Sequence, residues 1–368
     1  MKLLSIFGTR PEAVKLAPIL IALKGETSIM SQVCVTAQHR GLLDQVLDYF
    51  RIRPDHDLAL MERDQTLNAL VSRAIGRIDH VLAEAAPDRV LVQGDTSTAL
   101  AAALAAFNRR IPVAHVEAGL RTYCVNAPFP EEMNRRAIAL AADLHFAPTP
   151  MARANLVGER LRGDVYVTGN TGIDALHHVL AQPERERGLP PLDPAKKLIL
   201  VTCHRRESFG APFAAICAAL ERLAARDDIE VVFPRHPNPA LDGAAPVNVR
   251  LLDPLDLPAF ITLLDRADLV LTDSGGVQEE AAALGTPAVI LRKASDRPES
   301  LAEGAVLAGT DPDRIVRAAE VRLDGSFPPL APSLAYGDGR AAQRIVDVLL
   351  GRPIEEFEPA RDRMRQIG

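Results

Sequence analysis

The sequence lacks the features typical of membrane, secreted and zinc-binding proteins. Its 368 residues include only four cysteines, at positions 34, 124, 203 and 217, and none belongs to a Cys-x-x-Cys pair. This spacing disfavours a disulfide framework or a metal site, so we expect reduced thiols and no bound metal. No apolar run approaches the roughly 20 residues that span a bilayer, and the opening Met1–Phe7 is too short for a signal peptide. These absences predict a cytoplasmic protein with no membrane partner.

The sequence also lacks an excess of positively charged residues. The formal net charge is −6, which disfavours nucleic acid or an anionic membrane as a partner. Arginine supplies nearly all the cations, because lysine occurs only at positions 2, 15, 24, 196, 197 and 293. An anionic ligand would therefore need cations concentrated locally, and Lys15, which lies inside a motif, is a weak hint of such a place.

The chain is long enough for about two domains, and short apolar runs alternate with amphipathic helical segments along it. This alternation is typical of parallel strands joined by crossover helices. We predict an α/β protein with two Rossmann-like, doubly wound parallel-sheet domains facing across a cleft. The predicted parts are an amino-terminal domain (1–177), a proline-rich linker (178–197), a carboxy-terminal domain (198–340) and a helical end that packs back on the first domain (341–368).

The predicted elements form two series. Strands are expected near residues 3–7, 33–36, 90–92, 113–116, 144–147 and 165–167, and then near 198–202, 231–233, 249–251, 269–272 and 288–291. Helices are expected to begin near residues 11, 42, 67, 97, 131 and 150, and helical segments to cover 341–350 and 354–365. Open parallel sheets bind ligands beyond the carboxyl ends of their strands, and each motif below directly follows a predicted strand.

The most informative motif is Leu269-Val-Leu-Thr-Asp-Ser-Gly-Gly-Val-Gln-Glu-Glu280. A β-branched run meets a Ser274-Gly275-Gly276 turn and then a helix, so amide N–H groups and the positive helix end face one point. This pattern predicts a phosphate-binding turn, although an ordinary strand-turn-helix corner has the same sequence pattern. Glu280 follows about one helical turn later, where its carboxylate would accept hydrogen bonds from both ribose hydroxyls. Together they predict a nucleotide diphosphate site.

Basic side chains follow other predicted strands. In Gly8-Thr9-Arg10-Pro11 the glycine allows a tight turn, the threonine can cap the helix and the proline suits its first position. Arg10 is left projecting toward the ligand edge of the sheet, where it could bind phosphate or be an ordinary surface arginine. The motif is not the dinucleotide-binding pattern Gly-x-Gly-x-x-Gly, so the main evidence for a dehydrogenase function is missing.

The second domain begins with a run of basic residues, His204-Arg205-Arg206, directly after a predicted strand. Such a run creates a local positive field suited to a diphosphate leaving group. A solvated charged loop is the alternative, but it does not explain the histidine. Arg297 follows another predicted strand and would offer a further cation.

Three carboxylates occupy comparable places in the first half of the chain. Asp95 follows Val-Gln-Gly and could equally cap the next helix. Glu117 ends a buried-looking strand before Ala-Gly, where no capping role is evident, so its charge needs another reason. Glu131 opens a helix, where the helix dipole alone favours an acid. All three are candidates for proton transfer.

In this order the motifs resemble those of the bacterial, non-hydrolysing UDP-N-acetylglucosamine (UDP-GlcNAc) 2-epimerases. The similarity runs from residue 3 to about residue 339 and includes Phe-Gly-Thr-Arg-Pro-Glu-Ala, Thr-Ala-Gln-His-Arg, Gly-Asp-Thr, His-Val-Glu-Ala-Gly-Leu-Arg-Thr, Pro-Glu-Glu-Met-Asn-Arg, Gly-Asn-Thr, His-Arg-Arg-Glu-Ser, Thr-Asp-Ser-Gly-Gly-Val-Gln-Glu-Glu and Arg-Pro-Glu. The resemblance implies a glycosyltransferase-B-like fold, usually in a homodimer. It also implies interconversion of UDP-GlcNAc and UDP-N-acetylmannosamine (UDP-ManNAc) without a cofactor, which would supply ManNAc units for cell-surface polysaccharide.

The implied reaction eliminates UDP to give 2-acetamidoglucal and then adds UDP back with C2 inverted. The resemblance assigns UDP and substrate binding to Arg10, Lys15, His204, Arg205, Ser274, Gly275, Gly276, Glu280 and Arg297. Among these, Arg10 and His204 would also stabilise the departing UDP, while Asp95, Glu117 and Glu131 would share proton transfer. A hydrolysing relative, a UDP-sugar glycosyltransferase of the same fold and a non-catalytic sensor are the competing functions.

Some positions depart from the family pattern. Gln93 stands where histidine often precedes Gly-Asp. In several relatives a second UDP-GlcNAc acts as an activator, and of the residues that help hold it, Gln38 and His236 remain while Gly41 and Asp64 replace polar or basic residues. We therefore expect weakened or absent allosteric activation.

Overall fold

The computed structural model describes residues 1–36, 40–62, 65–186, 188–203, 205, 208–235, 246–325 and 328–359. Its contacts divide the chain into two compact units, Met1–Ala175 with Tyr336–Gly368, and Leu176–Ala335. The second unit is thus inserted into the first. The domain boundaries expected after residues 177, 197 and 340 stay predictions, and this division lies close to the first and last of them.

The first unit is built on a parallel sheet. Its strands are β1 (Lys2–Phe7), β2 (Met30–Val35), β3 (His56–Asp57), β4 (Arg89–Gln93), β5 (Val113–Val116), β6 (Leu144–Ala147) and β7 (Asp164–Val167). Its helices are α1 (Arg10–Leu23), α2 (Arg40–Tyr49), α3 (Leu67–Ala85), α4 (Ser97–Asn108), α5 (Glu131–Ala141) and α6 (Pro150–Gly158), and α7 (Thr171–Leu180) leads into the second unit. The strands are short and apolar because both faces of such a sheet are covered, and Leu3, Ile6 and Phe7 are completely buried.

The strand order of the first sheet is β3-β2-β1-β4-β5-β6-β7, and every pairing is parallel. The order changes direction between β1 and β4, which makes this the topological switch point where ligands of open α/β sheets bind. The helix that follows β4 is rich in alanine, and Ala99, Ala101 and Ala106 are completely buried. Small side chains let α4 pack closely between α3 and α5, which fixes the carboxyl end of β4.

The second unit has the same plan. Its strands are β8 (Lys197–Thr202), β9 (Ile229–Pro234), β10 (Arg250–Leu252), β11 (Leu269–Thr272), β12 (Ala288–Ile290) and β13 (Val306–Leu307). Its helices are α8 (Ala211–Ala224), α9 (Leu257–Arg266), α10 (Gly275–Leu284), α11 (Pro298–Ala302) and α12 (Pro312–Leu323). The strand order is β10-β9-β8-β11-β12-β13, again parallel, with the switch point between β8 and β11.

The chain then returns to the first unit through α13 (Ala341–Leu349), which packs against α1. Asp174 caps this helix, because its carboxylate accepts hydrogen bonds from the amides of Ala341 at 3.2 Å and Ala342 at 2.8 Å. Burial raises the pKa of Asp174 to about 7, although these amides act in the opposite direction. A largely buried carboxylate therefore holds the amino end of α13.

The two-sheet α/β class predicted from the sequence is confirmed, and each predicted strand has a counterpart within a few residues. The helix expected over 354–365 is wrong for its first part, because residues 352–358 are irregular. There Val167 of β7 donates its amide to Glu356 and accepts from the amide of Phe357 at 2.8 Å. Residues 360–365 lie outside the described residues. Across the described ranges, no helix combines the length and apolar character needed to cross a membrane.

Candidate functional site

Three predicted site residues of the first unit follow the two strands that flank its switch point, or the next strand along. Arg10 is the first residue of α1 and follows β1 by three positions. Asp95 follows β4, and Glu117 directly follows β5. Because β1, β4 and β5 are consecutive in the sheet, these turns lie at one edge. The sheet topology thus brings together the residues predicted to bind phosphate and to transfer protons.

Glu117 has a carboxylate with three side-chain partners. Its Oε1 is 2.6 Å from Nζ of Lys15 on α1 and 3.4 Å from the Asn170 amide nitrogen. Its Oε2 accepts a hydrogen bond from the Gln93 amide at the end of β4. The Glu117 side chain is only 5 % exposed, so a cation and two amides compensate a charge that water scarcely reaches.

The backbone of Glu117 is unusual as well. Its φ of 63° lies in the left-handed region, which non-glycine residues adopt rarely and which tends to occur at functional sites. Two residues later, Gly119 has φ 93°, and a Cβ there would lie 2.2 Å from the carbonyl oxygen of Ala152. The Glu117-Ala118-Gly119 turn therefore requires its glycine and directs the carboxylate back along the sheet edge.

Asp95 is held by α5. Its Oδ2 accepts from Nε of Arg135 at 2.9 Å and from a second guanidinium nitrogen, and its backbone oxygen accepts from the Asn134 amide at 2.9 Å. The alternative that Asp95 caps α4 is wrong, because Thr96 is the N-cap and accepts from the amide of Ala99 at 3.0 Å. Asp95 keeps 24 % of its side chain exposed, so part of its carboxylate faces solvent.

Glu131 and Glu132 begin α5 but have different surroundings. Glu131 is half-buried at the first position of the helix. Glu132 is completely buried and accepts from the amides of Thr122 at 3.0 Å and Tyr123 at 3.1 Å. Glu132 therefore shapes the loop before α5, while Glu131 remains the candidate for proton transfer.

His115 lies in β5, two residues before Glu117. Its Nε2 is 2.7 Å from the carbonyl oxygen of Gly94. Burial lowers the pKa of His115 to about 3, so the imidazole is neutral at physiological pH. It donates to the turn between β4 and α4 and is a structural member of this edge.

Glu12 is a site residue that the sequence interpretation missed. Its Oε2 accepts from the amide of Gly8 at 3.0 Å and from the amide and the hydroxyl of Thr9, both at 2.8 Å. Its Oε1 accepts from the hydroxyl of Thr96 at 2.7 Å. The Thr-x-x-Glu spacing of a capping box was a signal for the first contacts, whereas the contact with Thr96, 84 residues away, has no local signal.

In the second unit, the predicted phosphate turn lies at the start of α10. Ser274 is the N-cap, and Gly275 and Gly276 are the first helical residues. The first amides of a helix have no partner within that helix, which suits an anion. Asp273, completely buried, accepts from the amide of Arg205 at 2.9 Å and the hydroxyl of Ser208 at 2.8 Å. Arg205 is thereby fixed beside the turn between β11 and α10.

Arg297 belongs to a buried ion network behind this turn. Its Nε donates to Glu279 at 2.8 Å, and its Nη1 lies 2.5 Å from Asp296, which also pairs with Arg292 at 3.2 Å. A Cβ on Gly275 would lie 3.0 Å from Cζ of Arg297, so the guanidinium is packed against the start of α10. Arg297 therefore supports the turn, and its charge is compensated by the two acids. Glu280, which was predicted to bind ribose, follows Glu279 and is half-buried.

Several predicted residues lie outside the described part of the chain, namely His204, Arg206, Gln38, His236 and Asp64. Within the described ranges, no group of three or more His, Cys, Asp or Glu side chains is arranged to hold a metal ion. The described site residues thus form two sets, one at the switch point of each sheet.

Comparison with known proteins identifies the family. The family model for UDP-N-acetylglucosamine 2-epimerase matches residues 21–350. The chain is 46 % identical to the Escherichia coli UDP-N-acetylglucosamine 2-epimerase over 371 residues, covering 95 % of this chain and 98 % of that protein. The chain belongs to the UDP-N-acetylglucosamine 2-epimerase family. The Bacillus subtilis member of this family is 45 % identical and is covered over 95 % of its length.

The 2-epimerase family also includes solved structures with the same fold. The crystal structure of the Neisseria meningitidis UDP-GlcNAc 2-epimerase, bound to UDP-GlcNAc, superposes with a TM-score of 0.91 at 40 % identity, covering 96 % of this chain and all of that one. A glycosyltransferase of kitacinnamycin, only 17 % identical, superposes with a TM-score of 0.59 and shows a shared fold alone. The predicted glycosyltransferase-B-like fold class is confirmed.

Proposed function

We propose that this 2-epimerase family member interconverts UDP-GlcNAc and UDP-ManNAc by eliminating UDP and adding it back, without net hydrolysis. The observation that carries this proposal is the clustering of Asp95 and Glu117 at adjacent strand ends, with Glu131 on the helix that holds Asp95. Inversion of a carbon centre through an alkene needs proton-transfer groups on two faces of the ring. In this proposal Asp95 and Glu117 at the sheet edge, with Glu131 at the start of α5, would provide those groups.

The order of bond breaking follows from the chemistry of the sugar. The hydrogen at C2 has no neighbouring carbonyl to acidify it, so direct removal as a proton would be slow. Breaking the C1–O bond first leaves an electron-poor anomeric carbon. Loss of the C2 proton then gives 2-acetamidoglucal and UDP. Reprotonation of C2 from the opposite face and return of UDP to C1 complete the epimerisation, so that all atoms are recovered.

The nucleotide side of the proposed site draws on the second unit. The helix start at Ser274–Gly276 would bind the diphosphate through backbone amides, with Glu280 on the ribose. Arg205 is fixed beside that turn, and Arg297 supports it from behind. In this proposal Arg10, Lys15 and His204 complete the charge compensation of the departing UDP.

Incubation of the protein with pure UDP-GlcNAc in D₂O tests this function. We expect UDP-ManNAc that carries deuterium at C2, detected by NMR and mass spectrometry, because the proton is exchanged in the intermediate. Release of free ManNAc with UDP would instead identify a hydrolysing enzyme. Absence of exchange would indicate a transferase that lacks its acceptor, or a sensor, and would overturn the proposal.

We further propose that the protein is a cytoplasmic homodimer whose product supplies ManNAc units for cell-surface polysaccharide. The family resemblance of the motifs supports this assignment. Light scattering of the purified protein measures the oligomeric state, and a monomer would contradict the first part. Loss of ManNAc from the surface polysaccharide of a deletion strain would support the second.

A further inference from the structure

Glu12, in the first turn of α1, makes a contact that a helix cap does not require. The capping box needs only contacts within the Thr9–Glu12 turn, and Oε2 already makes them. Oε1 nevertheless reaches out to the hydroxyl of Thr96 at the start of α4. The carboxylate is 1 % exposed, and burial raises the pKa of Glu12 to about 7. A helix cap does not by itself explain this buried acid, because the Thr9 hydroxyl alone could cap α1.

The two turns that Glu12 joins each carry a residue of the proposed site. Arg10 directly follows Thr9, and Asp95 directly precedes Thr96. The turns follow β1 and β4, the strands on either side of the switch point. The second unit repeats the arrangement, since Asp273 after β11 accepts hydrogen bonds from Arg205 and Ser208 after β8. In both sheets a buried carboxylate thus bridges the switch point.

We propose that Glu12 is a positioning residue that holds the turn bearing Arg10 and the turn bearing Asp95 at a fixed separation. This inference rests on the proposed function, because it gives Arg10 to the phosphate and Asp95 to proton transfer. The bond to Thr96 fixes one end of the Asp95 turn, and Arg135 of α5 fixes the carboxylate itself. Misplacement of a catalytic group by about 1 Å can lower a rate about 100-fold, so the bond matters for turnover as well as for folding.

The decisive variants are at Thr96. Thr96→Val keeps the shape of the side chain but removes both the bond to Glu12 and the cap of α4. Thr96→Ser restores the hydroxyl. Thr149→Val is the matched control, because buried Thr149 caps α6 through the amide of Ala152 at 3.2 Å. Both valine variants should lower Tm by a few degrees through the lost cap, and Thr96→Val by more, because it also leaves an oxygen of buried Glu12 without this donor.

The kinetic outcome separates positioning from capping. We expect Thr96→Val to lower kcat about 10- to 100-fold with little change in KM, and Thr96→Ser to recover most of that loss. Thr149→Val should retain the wild-type kcat. Equal kcat values for Thr96→Val and Thr149→Val, after correction for folded fraction, would overturn the proposal.

A double variant tests whether the effect passes through Glu12. Glu12→Met removes both ends of the bridge, so adding Thr96→Val should lower kcat no further. Multiplied losses would mean that Thr96 acts independently of Glu12 and would refute the inference. If Glu12→Met does not fold, the three threonine variants decide the matter alone.

Binding of UDP, measured by calorimetry, gives a readout that does not need turnover. Glu12→Met should weaken UDP binding about tenfold, because Arg10 loses its fixed place and its charged hydrogen bond to phosphate is impaired. Thr96→Val should leave the affinity for UDP unchanged. Lack of deuterium exchange by the wild-type protein would reject the proposed function. Unchanged UDP affinity in a folded Glu12→Met variant would reject the positioning of Arg10.

Discussion

Glu117 is the residue whose surroundings fit a purely structural role least well. A buried strand end would be more stable with an apolar side chain, yet this position has a carboxylate on a left-handed backbone, paired with Lys15. Gln93, which departs from the family pattern, also contacts this carboxylate, because its side-chain amide donates to Glu117. Both side chains adjust the environment of one carboxylate.

We predict that Glu117→Gln lowers kcat by about 10²- to 10⁴-fold, the usual contribution of a general acid or base, while KM changes little. The amide keeps the size of the side chain but cannot take up the proton. Steady-state kinetics with UDP-GlcNAc measure the effect. Glu26→Gln is the control, because it removes a carboxylate from an ion pair with Arg352 before the amino end of β2, the opposite edge of the sheet. An unchanged kcat in Glu117→Gln would remove Glu117 from the mechanism.

At the scale of elements, the start of α10 contains two glycines that differ in how closely other side chains approach them. A Cβ on Gly275 would lie within 3.2 Å of three atoms of the buried Arg297 guanidinium. No atom lies within 4 Å of the corresponding point on Gly276 in the described part of the chain. Among the described residues, packing therefore requires only the first glycine.

We predict that Gly275→Ala destabilises the protein by about 1–3 kcal/mol, the usual effect of overpacking. Gly276→Ala should stabilise it by about 0.4–1 kcal/mol, because alanine restricts the unfolded chain. Chemical denaturation without ligand measures both. If the two variants had equal stability, Arg297 would not be packed against the helix start as described. A loss of UDP affinity in Gly276→Ala, despite its stability, would support a phosphate at this turn.

The sequence predicted well those elements whose bounds follow from the pattern of apolar residues within them. β5, β6 and β11 are fully buried and mainly apolar runs, and their bounds agree with the prediction. The strands β3 and β13 have two residues each, too few for any periodicity. The 354–358 stretch had a helix-like pattern, but its backbone bonds to β7, the edge strand of the sheet, and Phe357 is buried. A tertiary contact with that exposed edge overrides the local preference.

The site was predictable where a motif directly follows a strand, because topology alone brings such turns together. Asp95, Glu117 and Ser274 were selected in this way, and each lies just after a strand. The bridge from Glu12 to Thr96 and the pairing of Glu279 with Arg297 were not, since both depend on which way a helical side chain turns. Glu280 was selected as the ribose ligand. Nothing in the sequence shows that the preceding residue, Glu279, is the one whose carboxylate pairs with buried Arg297.

For the whole molecule, the expected loss of allosteric activation remains a prediction. Gly41 is exposed, and no atom lies within 4 Å of where its Cβ would be in the described structure. It therefore offers a second nucleotide no side chain to bind. We predict a hyperbolic dependence of velocity on UDP-GlcNAc concentration. A sigmoidal curve, or a reverse reaction that stalls until traces of UDP-GlcNAc are added, would show that activation persists.

The insertion of Leu176–Ala335 into the first unit has a consequence for biosynthesis. The ribosome completes the inserted unit before it has made α13, the helix that packs against α1. Until then Asp174 lacks the amides of Ala341 and Ala342, and Asn170 lacks the carbonyl of Tyr336, to which its amide donates at 2.6 Å. The first unit therefore cannot complete these contacts until the inserted unit has been synthesised, and we expect nascent chains that stop near residue 335 to expose apolar surface of α1 to chaperones and proteases.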